Sequence, residues 1–374
     1  MKKFALLALV SLWASQLALA ADQSVTLQTG VEHDTNPALR ASGATPSITR
    51  YRLTPQYQKR WDSELDAYTL SARVLFERSS DTAVSQNRQD PSLDASWQRQ
   101  TSRGSFRLQG SLASASARSA ALADTGQVVQ DGTRISRSLK GDYSHALTEV
   151  DTLNLGANYQ AVSFTKQSQT NYRETSASLK YGRQIAEKTD AFVEGVASRY
   201  EPGAQTTLTS PSASSKQTVS FGLRHQLASK FNLQGQAGLL RIPGNGSSTK
   251  SGQGWQGSLS LNHQGDRFSG SLQAGRAGSV NNLDGGYVVT DSLRVQESYL
   301  LAEDTQIGAQ ASFQRTNSVT TSKSTSAGVD LNQRLGEFWR LNVNVLHREV
   351  SSANQGVASG ALIGAQLVFT EPNF

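Results

Sequence analysis

The chain of 374 residues has no cysteine, one methionine and eight prolines. Without cysteine there is no disulfide scaffold, so a chain this long must be held by a large core or a closed sheet. A large soluble core is hard to find. Only 37% of residues are apolar and the mean hydropathy is −0.44. Outside the first twenty residues no apolar run approaches the eighteen or so needed for a transmembrane helix, and no window carries an apolar stripe of helical period and length. Charge of one sign is scarce too. The net charge of +6 is too small to imply nucleic acid as a partner.

What is present begins with an export signal. Lys2 and Lys3 precede an apolar stretch from Phe4 to Leu12, and Ala18-Leu19-Ala20 supplies the small-x-small cleavage pattern. Residues 1–20 therefore read as a signal peptide cut before Ala21, and 21–374 as the mature chain. Loss of two lysines lowers the net charge to +4.

Period-two alternation then runs through the whole mature chain. Tyr68, Leu70, Ala72, Val74 and Phe76 share one phase, opposite Thr69, Ser71 and Arg73; Ile307, Ala309, Ala311 and Phe313 repeat it, as do Ala361, Ile363, Ala365, Leu367 and Phe369. The punctuation is asymmetric. One set of turns is very short and shares a Leu-small-Glu flavour, as at Leu147-Thr148-Glu149, Ile185-Ala186-Glu187 and Leu301-Ala302-Glu303. The other set is longer, rich in Gly, Ser, Asn and Pro, over roughly 34–46, 77–90, 118–132, 165–171, 202–217, 242–254, 278–288, 317–324 and 352–358.

This pattern predicts an all-β protein: a single closed antiparallel transmembrane β-barrel of about 18 strands, with 16 as the alternative. Its short turns face the periplasm and its longer loops face outward, in the outer membrane of a Gram-negative bacterium. Closure pairs every backbone group, as the bilayer demands. A soluble barrel of that size would need an implausibly large filled interior. Tyr68, Phe76, Tyr143, Phe221, Trp255, Phe313, Trp339 and Phe369 lie on the apolar phase and are expected as a lipid-facing aromatic girdle. Phe374 is out of phase with Phe369, so Glu371–Phe374 is expected as a short tail.

The polar phase is expected to line the lumen with Arg52, Arg73, Lys140, Asp142, Lys180, Arg224, Arg267, Asp330, Arg334 and Arg340. Cations outnumber anions eight to two in this set, which would bias the pore toward anionic solutes. Abundant amides and hydroxyls would also suit sugars. Residues 118–132 are too short and apolar for a convincing constriction loop. His145, His225 and His263 read as interfacial rings near the short turns, and His347 lies on the apolar phase toward the loops. His33-Asp34 could form a dyad, but no nucleophile signature accompanies it, so no catalytic residue is assigned and no enzyme is expected. Asp34, Asn36 and Asn281–Gly285 read as turn formers rather than ligands, so neither metal nor cofactor is expected.

The opening Gly30-Val31-Glu32-His33-Asp34-Thr35-Asn36-Pro37, with Tyr51-Arg52-Leu53-Thr54-Pro55 and Asp124-Thr125-Gly126, resembles the large barrels of exopolysaccharide loci and the related β-barrel porin family. His33 departs from the tyrosine usual there. The resemblance implies an outer-membrane barrel of this size, with export of polysaccharide among its roles and a polysaccharide-export complex as partner. The leading expectation is a channel for passive passage or export of hydrophilic solutes; a non-transporting structural or adhesive barrel comes second and a hydrolase third. Expected partners are outer-membrane lipid, lipopolysaccharide and the barrel-insertion machinery.

Overall fold

A computed structural model describes residues 21–41, 46–126, 128, 131–166, 169–203, 212–243, 252–281, 285–317, 321–352 and 356–372. The signal segment and Phe374 lie outside the described residues. Eighteen strands follow in order. They are β1 (Ala21–Asp34), β2 (Ile48–Asp62), β3 (Asp66–Ser79), β4 (Arg88–Thr101), β5 (Gly104–Ser116) and β6 (Thr133–Ala146). Next come β7 (Asp151–Phe164), β8 (Tyr172–Ala186), β9 (Thr189–Pro202), β10 (Ser214–Ala228), β11 (Phe231–Ile242) and β12 (Gly252–Gln264). The last are β13 (Phe268–Asn281), β14 (Gly286–Ala302), β15 (Thr305–Asn317), β16 (Ser322–Arg334), β17 (Trp339–Ser352) and β18 (Gly356–Pro372). Each strand pairs antiparallel with the next, and β1 closes on β18 from Ser24↔Pro372 to Asp34↔Leu362. The 18-stranded barrel expected from the alternation is therefore the observed fold.

Closure carries β18 two residues into the expected tail, because Val25 and Ser24 offer partners to Glu371 and Pro372. Alternation decides the two faces. Val31, Tyr51, Leu53, Leu139, Val219 and Leu239 are exposed on the outside, while Glu32, Arg50, Arg52 and Glu77 meet one another inside.

The recurring short-turn signature has a physical cause. Register shifts occur between Gln184 and Ala186, Gln226 and Ala228, and Leu300 and Ala302. The skipped residue is the apolar one, Ile185, Leu227 or Leu301, each exposed on the outer face. A bulge here ends the pairing and re-aims the chain into a tight turn.

Among the described residues one helix interrupts the pattern. Residues Ala117–Thr125 form α1, in the third long connection. Ser116 caps its start by accepting from the Ser119 N–H, and Gly126, at φ 66°, ends it in the left-handed conformation with its N–H on the Leu122 carbonyl. Ala117, Ala121 and Thr125 recur every four residues and form the buried face. The expectation that this segment is too short to narrow the barrel is overturned: nine residues of helix reach far when closed at both ends.

Candidate functional site: the narrowed mouth of the lumen

Three structures converge inside the long-loop end. The first is α1. Its Thr125 carbonyl accepts from Thr316 Oγ1 at 2.7 Å and its Asp124 carbonyl from Gln314 Nε2 at 2.8 Å, so the helix, rooted at β5, is fastened to β15. Asp124 also pairs with Arg134 of β6 at 2.7 Å. Arg118 donates to the carbonyl of Pro37. Burial lowers the Arg118 guanidinium from its ordinary value, with Asp131 opposing that shift.

The second is the first long connection. Asp34 is almost fully buried and accepts from Arg348 of β17 at 2.9 Å and from Arg50 at 3.3 Å, while its Oδ1 also accepts the Asn36 N–H. Asn36 donates to the carbonyls of Arg40 and Ser359. These bonds turn the chain inward and bury Leu39, at φ 44°, with Val350, Ala358 and Leu122 of α1. A non-glycine residue in that region is strained and must be held by its surroundings. The Asp34 carboxylate and the Asn36 amide are thus engaged in folding the connection. His33 and Asp34 face opposite sides of the wall, with His33 on Thr49 outside, so they form no dyad.

The third is the β13–β14 hairpin, where residues 278–288 were expected as loop. Both strands run further, pairing as far as Asn281↔Gly286. However, β12 pairs with β13 only from Gly257↔Arg276 downward, although β12 itself begins at Gly252. Above that level the hairpin leaves the wall and leans over the lumen. Tyr287 packs with Val162, Tyr172, Tyr200, Leu240 and Ile242, inward-phase residues of β7–β11. Its hydroxyl donates to Glu174 at 2.8 Å, and Lys216 lies over its ring at 4.8 Å while donating to the Gly278 carbonyl at 3.0 Å. Arg276, paired to Asp291 at 2.8 Å and stacked on Trp255, marks the point of departure. This apolar cluster was not anticipated. Its signal was a run of bulky residues on the polar phase, Val162, Phe164, Tyr172 and Tyr200, at strand ends flanking one side of the barrel.

The basic residues read from the sequence are distributed along the inner wall rather than gathered. Arg52 is bracketed by Glu32 at 2.6 Å and Glu77 at 2.7 Å. Arg73 donates to Ser92, Lys140 pairs with Asp142 at 3.0 Å, and Lys180 sits over the inward ring of Phe192, opposite Glu194. Arg224 donates to Gln234, and Asp330 accepts from Asn332. Arg334 lies opposite Arg340 at the short-turn end. Arg267 is in the turn between β12 and β13, not on a strand. The inward acids Glu32, Glu77, Asp90 and Glu194 offset much of the expected positive bias. Arg88 and Asp90, 2.7 Å apart, are a further self-neutralised pair.

On the outer face, Tyr68 stacks on Trp61 and Trp97, Tyr143 lies beside His145, and Trp339 and Phe369 are 5.0 Å apart, all near the short turns. Trp61, Trp97, Phe231 and Phe338 belong to the same ring of aromatics and were not singled out in the sequence. Phe76, Phe313 and Trp255 sit nearer the long loops and Phe221 near mid-strand, all four exposed outward.

No protein-family model and no curated protein matches the sequence. Solved structures do. OccAB4 of Acinetobacter baumannii aligns over 96% of this chain and 99% of its own, with 10% identity and a TM-score of 0.54. OccK9 (OpdG) of Pseudomonas aeruginosa aligns over 95% and 99%, with 10% identity and a TM-score of 0.54. The outer membrane protein OpdK of Pseudomonas aeruginosa aligns over 94% and 99%, at 12% identity and a TM-score of 0.50. The chain, a closed 18-stranded barrel, therefore shares its fold with these structures. These neighbours give no support to the exopolysaccharide-locus type suggested by the opening motif.

Proposed function

We propose that the protein is a passive channel in the outer membrane of a Gram-negative bacterium, with its long loops outside, and that it passes small hydrophilic solutes. The observation that carries this reading is a closed barrel with a polar inner face whose mouth is narrowed by α1 fastened to β15. Barrels of this strand number leave room for water inside. A helix braced across the entrance selects by size. The narrowing favours small solutes over a polymer, and the His33–Pro37 segment that prompted the polysaccharide reading is spent on folding the first loop inward. Inward-folded connections also favour a channel over an adhesive barrel, which would present them outward.

Purified protein in a planar bilayer should give discrete, stable conductance steps. In liposome swelling, rates should fall steeply from monosaccharide to trisaccharide. A bilayer that stays silent at all voltages would end the channel reading, and equal passage of a long dextran would return the polymer to consideration.

A further inference from the structure

The inner wall is divided chemically. From β1 to β10 its phase carries paired charges: Arg52 with Glu32 and Glu77, Arg88 with Asp90, Lys140 with Asp142, and Lys180 opposite Glu194. From β11 to β16 the same phase is mostly amide and hydroxyl. Toward the short turns this neutral stretch sinks into a recess of about 470 Å³, edged by Asn232, Asn262, Gln296, Gln306, Gln310 and Asn332. That volume is within the range of small-molecule sites.

Among the described residues, one charged side chain faces the recess. Asp330 of β16 lies opposite Gly308 of β15, and its carboxylate leans over that glycine, where any Cβ would collide with it. Gly308 thus seats the carboxylate on the neighbouring strand, between Gln306 and Gln310, which stand two residues to either side. Asn332 donates to Asp330 Oδ2 at 2.7 Å, and Gln310 faces Gln296 across the β14–β15 pair. Among the described residues Asp330 has no cation partner, and the side-chain amides of Gln296, Gln306 and Gln310 bond to no protein group. His263 and Glu297 also border the recess but belong to the outward phase, His263 stacked on Phe231 and Glu297 opposite Ala309. Arg294 stands two residues nearer the mouth than Gln296, and Arg334 is turned to the Gly336 carbonyl at the short-turn end.

These parts suit one chemistry. A carboxylate accepts hydroxyl protons and offers none, while an amide both donates and accepts. Neighbouring ring hydroxyls also do both, so a pyranose can bridge Asp330 and the flanking glutamines with its polar groups paired. An anionic solute would be repelled by Asp330. The amide N–H groups around the recess would find nothing to donate to on a bare cation. We infer that this recess is a subsite for a neutral pyranose sugar, with Asp330 taking two of its hydroxyls and Gln306 and Gln310 the hydroxyls beside them. The inference rests on the channel reading and deepens it by naming the solute class.

The test is saturation-transfer NMR on the full barrel, in a detergent without a sugar headgroup. The probes are D-glucose, D-glucuronate and D-glucosamine, which share one ring and differ in charge. Glucose should give saturable transfer, and glucuronate should bind roughly tenfold more weakly. D330N and Q306A/Q310A should each weaken glucose binding roughly tenfold. D94N, in a smaller recess of the opposite wall with Ser71 and Ser111, should leave it unchanged. Heat-modifiable migration on gels checks that each variant folds. No saturable glucose binding, wild-type binding by both folded variants, or a loss in D94N instead would overturn the proposal. So would equal binding of glucuronate, or a preference of about tenfold for glucosamine, which would make Asp330 a cation site. Conductance is measured on the same preparations. A silent barrel that binds glucose would count against the channel alone, and a conducting barrel that binds none against the subsite alone.

Discussion

The Asp34 carboxylate accepts from the Arg348 guanidinium at 2.9 Å, across 314 residues of chain and across the intervening strand β18. Asp34 is buried, and its Oδ2, which Arg348 also reaches, accepts from Arg50 at 3.3 Å. This pair fastens the first loop to the far side of the barrel closure. Removing Arg348 leaves the buried carboxylate with Arg50 at 3.3 Å as its remaining cation, so the cost should stay below the about 3–5 kcal/mol of a buried charge left wholly unpaired. Arg348→Ala should therefore lower the urea midpoint of unfolding in lipid vesicles. Unchanged stability together with unchanged single-channel noise would show that the first loop is held by other contacts.

The helix α1 makes a separate prediction because its far end is held to β15 by two hydrogen bonds, from Thr316 and Gln314. Thr316→Val keeps the shape of the side chain and removes the hydroxyl that meets the Thr125 carbonyl. The loss of one buried hydrogen bond is about 1 kcal/mol, enough to raise the frequency of open-state fluctuations without unfolding the barrel. Replacement of Ala117–Thr125 by a short Gly-Ser linker should at least double conductance. If conductance does not change, the helix lies clear of the solute path.

The inward hairpin is testable through Gly278. A Cβ there would stand 2.9 Å from Lys216 Cδ and 3.4 Å from Leu240 Cδ1. Gly278→Val should push the hairpin off β10 and β11, widening the mouth and accelerating proteolysis near Gly285. Retained conductance and protease resistance would place the hairpin elsewhere.

Strand number, the eight short turns and the two faces were all legible, because a side-chain period of two and a repeated Leu-small-Glu bulge are local features. The mouth was much less so. Ala117–Thr125 is short and mostly small, and alternation offers no template for it, although Ser116 and Gly126 are ordinary helix caps. The hairpin was missed because whether Gly278 and Tyr287 sit in a loop or a strand depends on Lys216 and Tyr200, which lie far away in sequence. The same limit hid the charge balance: Arg52 was visible on its strand, but Glu32 and Glu77 become its partners only when β1 and β3 flank β2.

Tyr200 and Tyr287 should respond in opposite ways to the same change. The Tyr200 hydroxyl is buried with no hydrogen-bond partner among the described residues, whereas that of Tyr287 meets Glu174 at 2.8 Å. Tyr200→Phe removes an unsatisfied polar atom and should leave stability unchanged or raise it by about 1 kcal/mol. Tyr287→Phe strips a donor from a carboxylate and should cost about 1.5–3 kcal/mol. Urea unfolding of both variants in the same vesicles is the comparison; equal losses would mean that Tyr200 has a partner after all.

Ion selectivity follows from how the arginines are paired. Arg50 and Arg52 stand at the mouth, but Glu32 lies 2.7 Å from the first and 2.6 Å from the second, and Glu77 lies 2.7 Å from Arg52. Their fields largely cancel for a passing ion, so the reversal potential in a KCl gradient should be close to zero. Converting both acids to amides preserves side-chain size and most of the hydrogen bonds, yet exposes two cations in a narrow, poorly screened passage. Such a passage concentrates anions. Glu32→Gln with Glu77→Gln should therefore move the reversal potential clearly toward that of chloride, while Arg52→Gln moves it the other way. A double variant with unaltered selectivity would mean that solutes pass on the opposite side of the lumen, along the amide-rich wall of β11–β15.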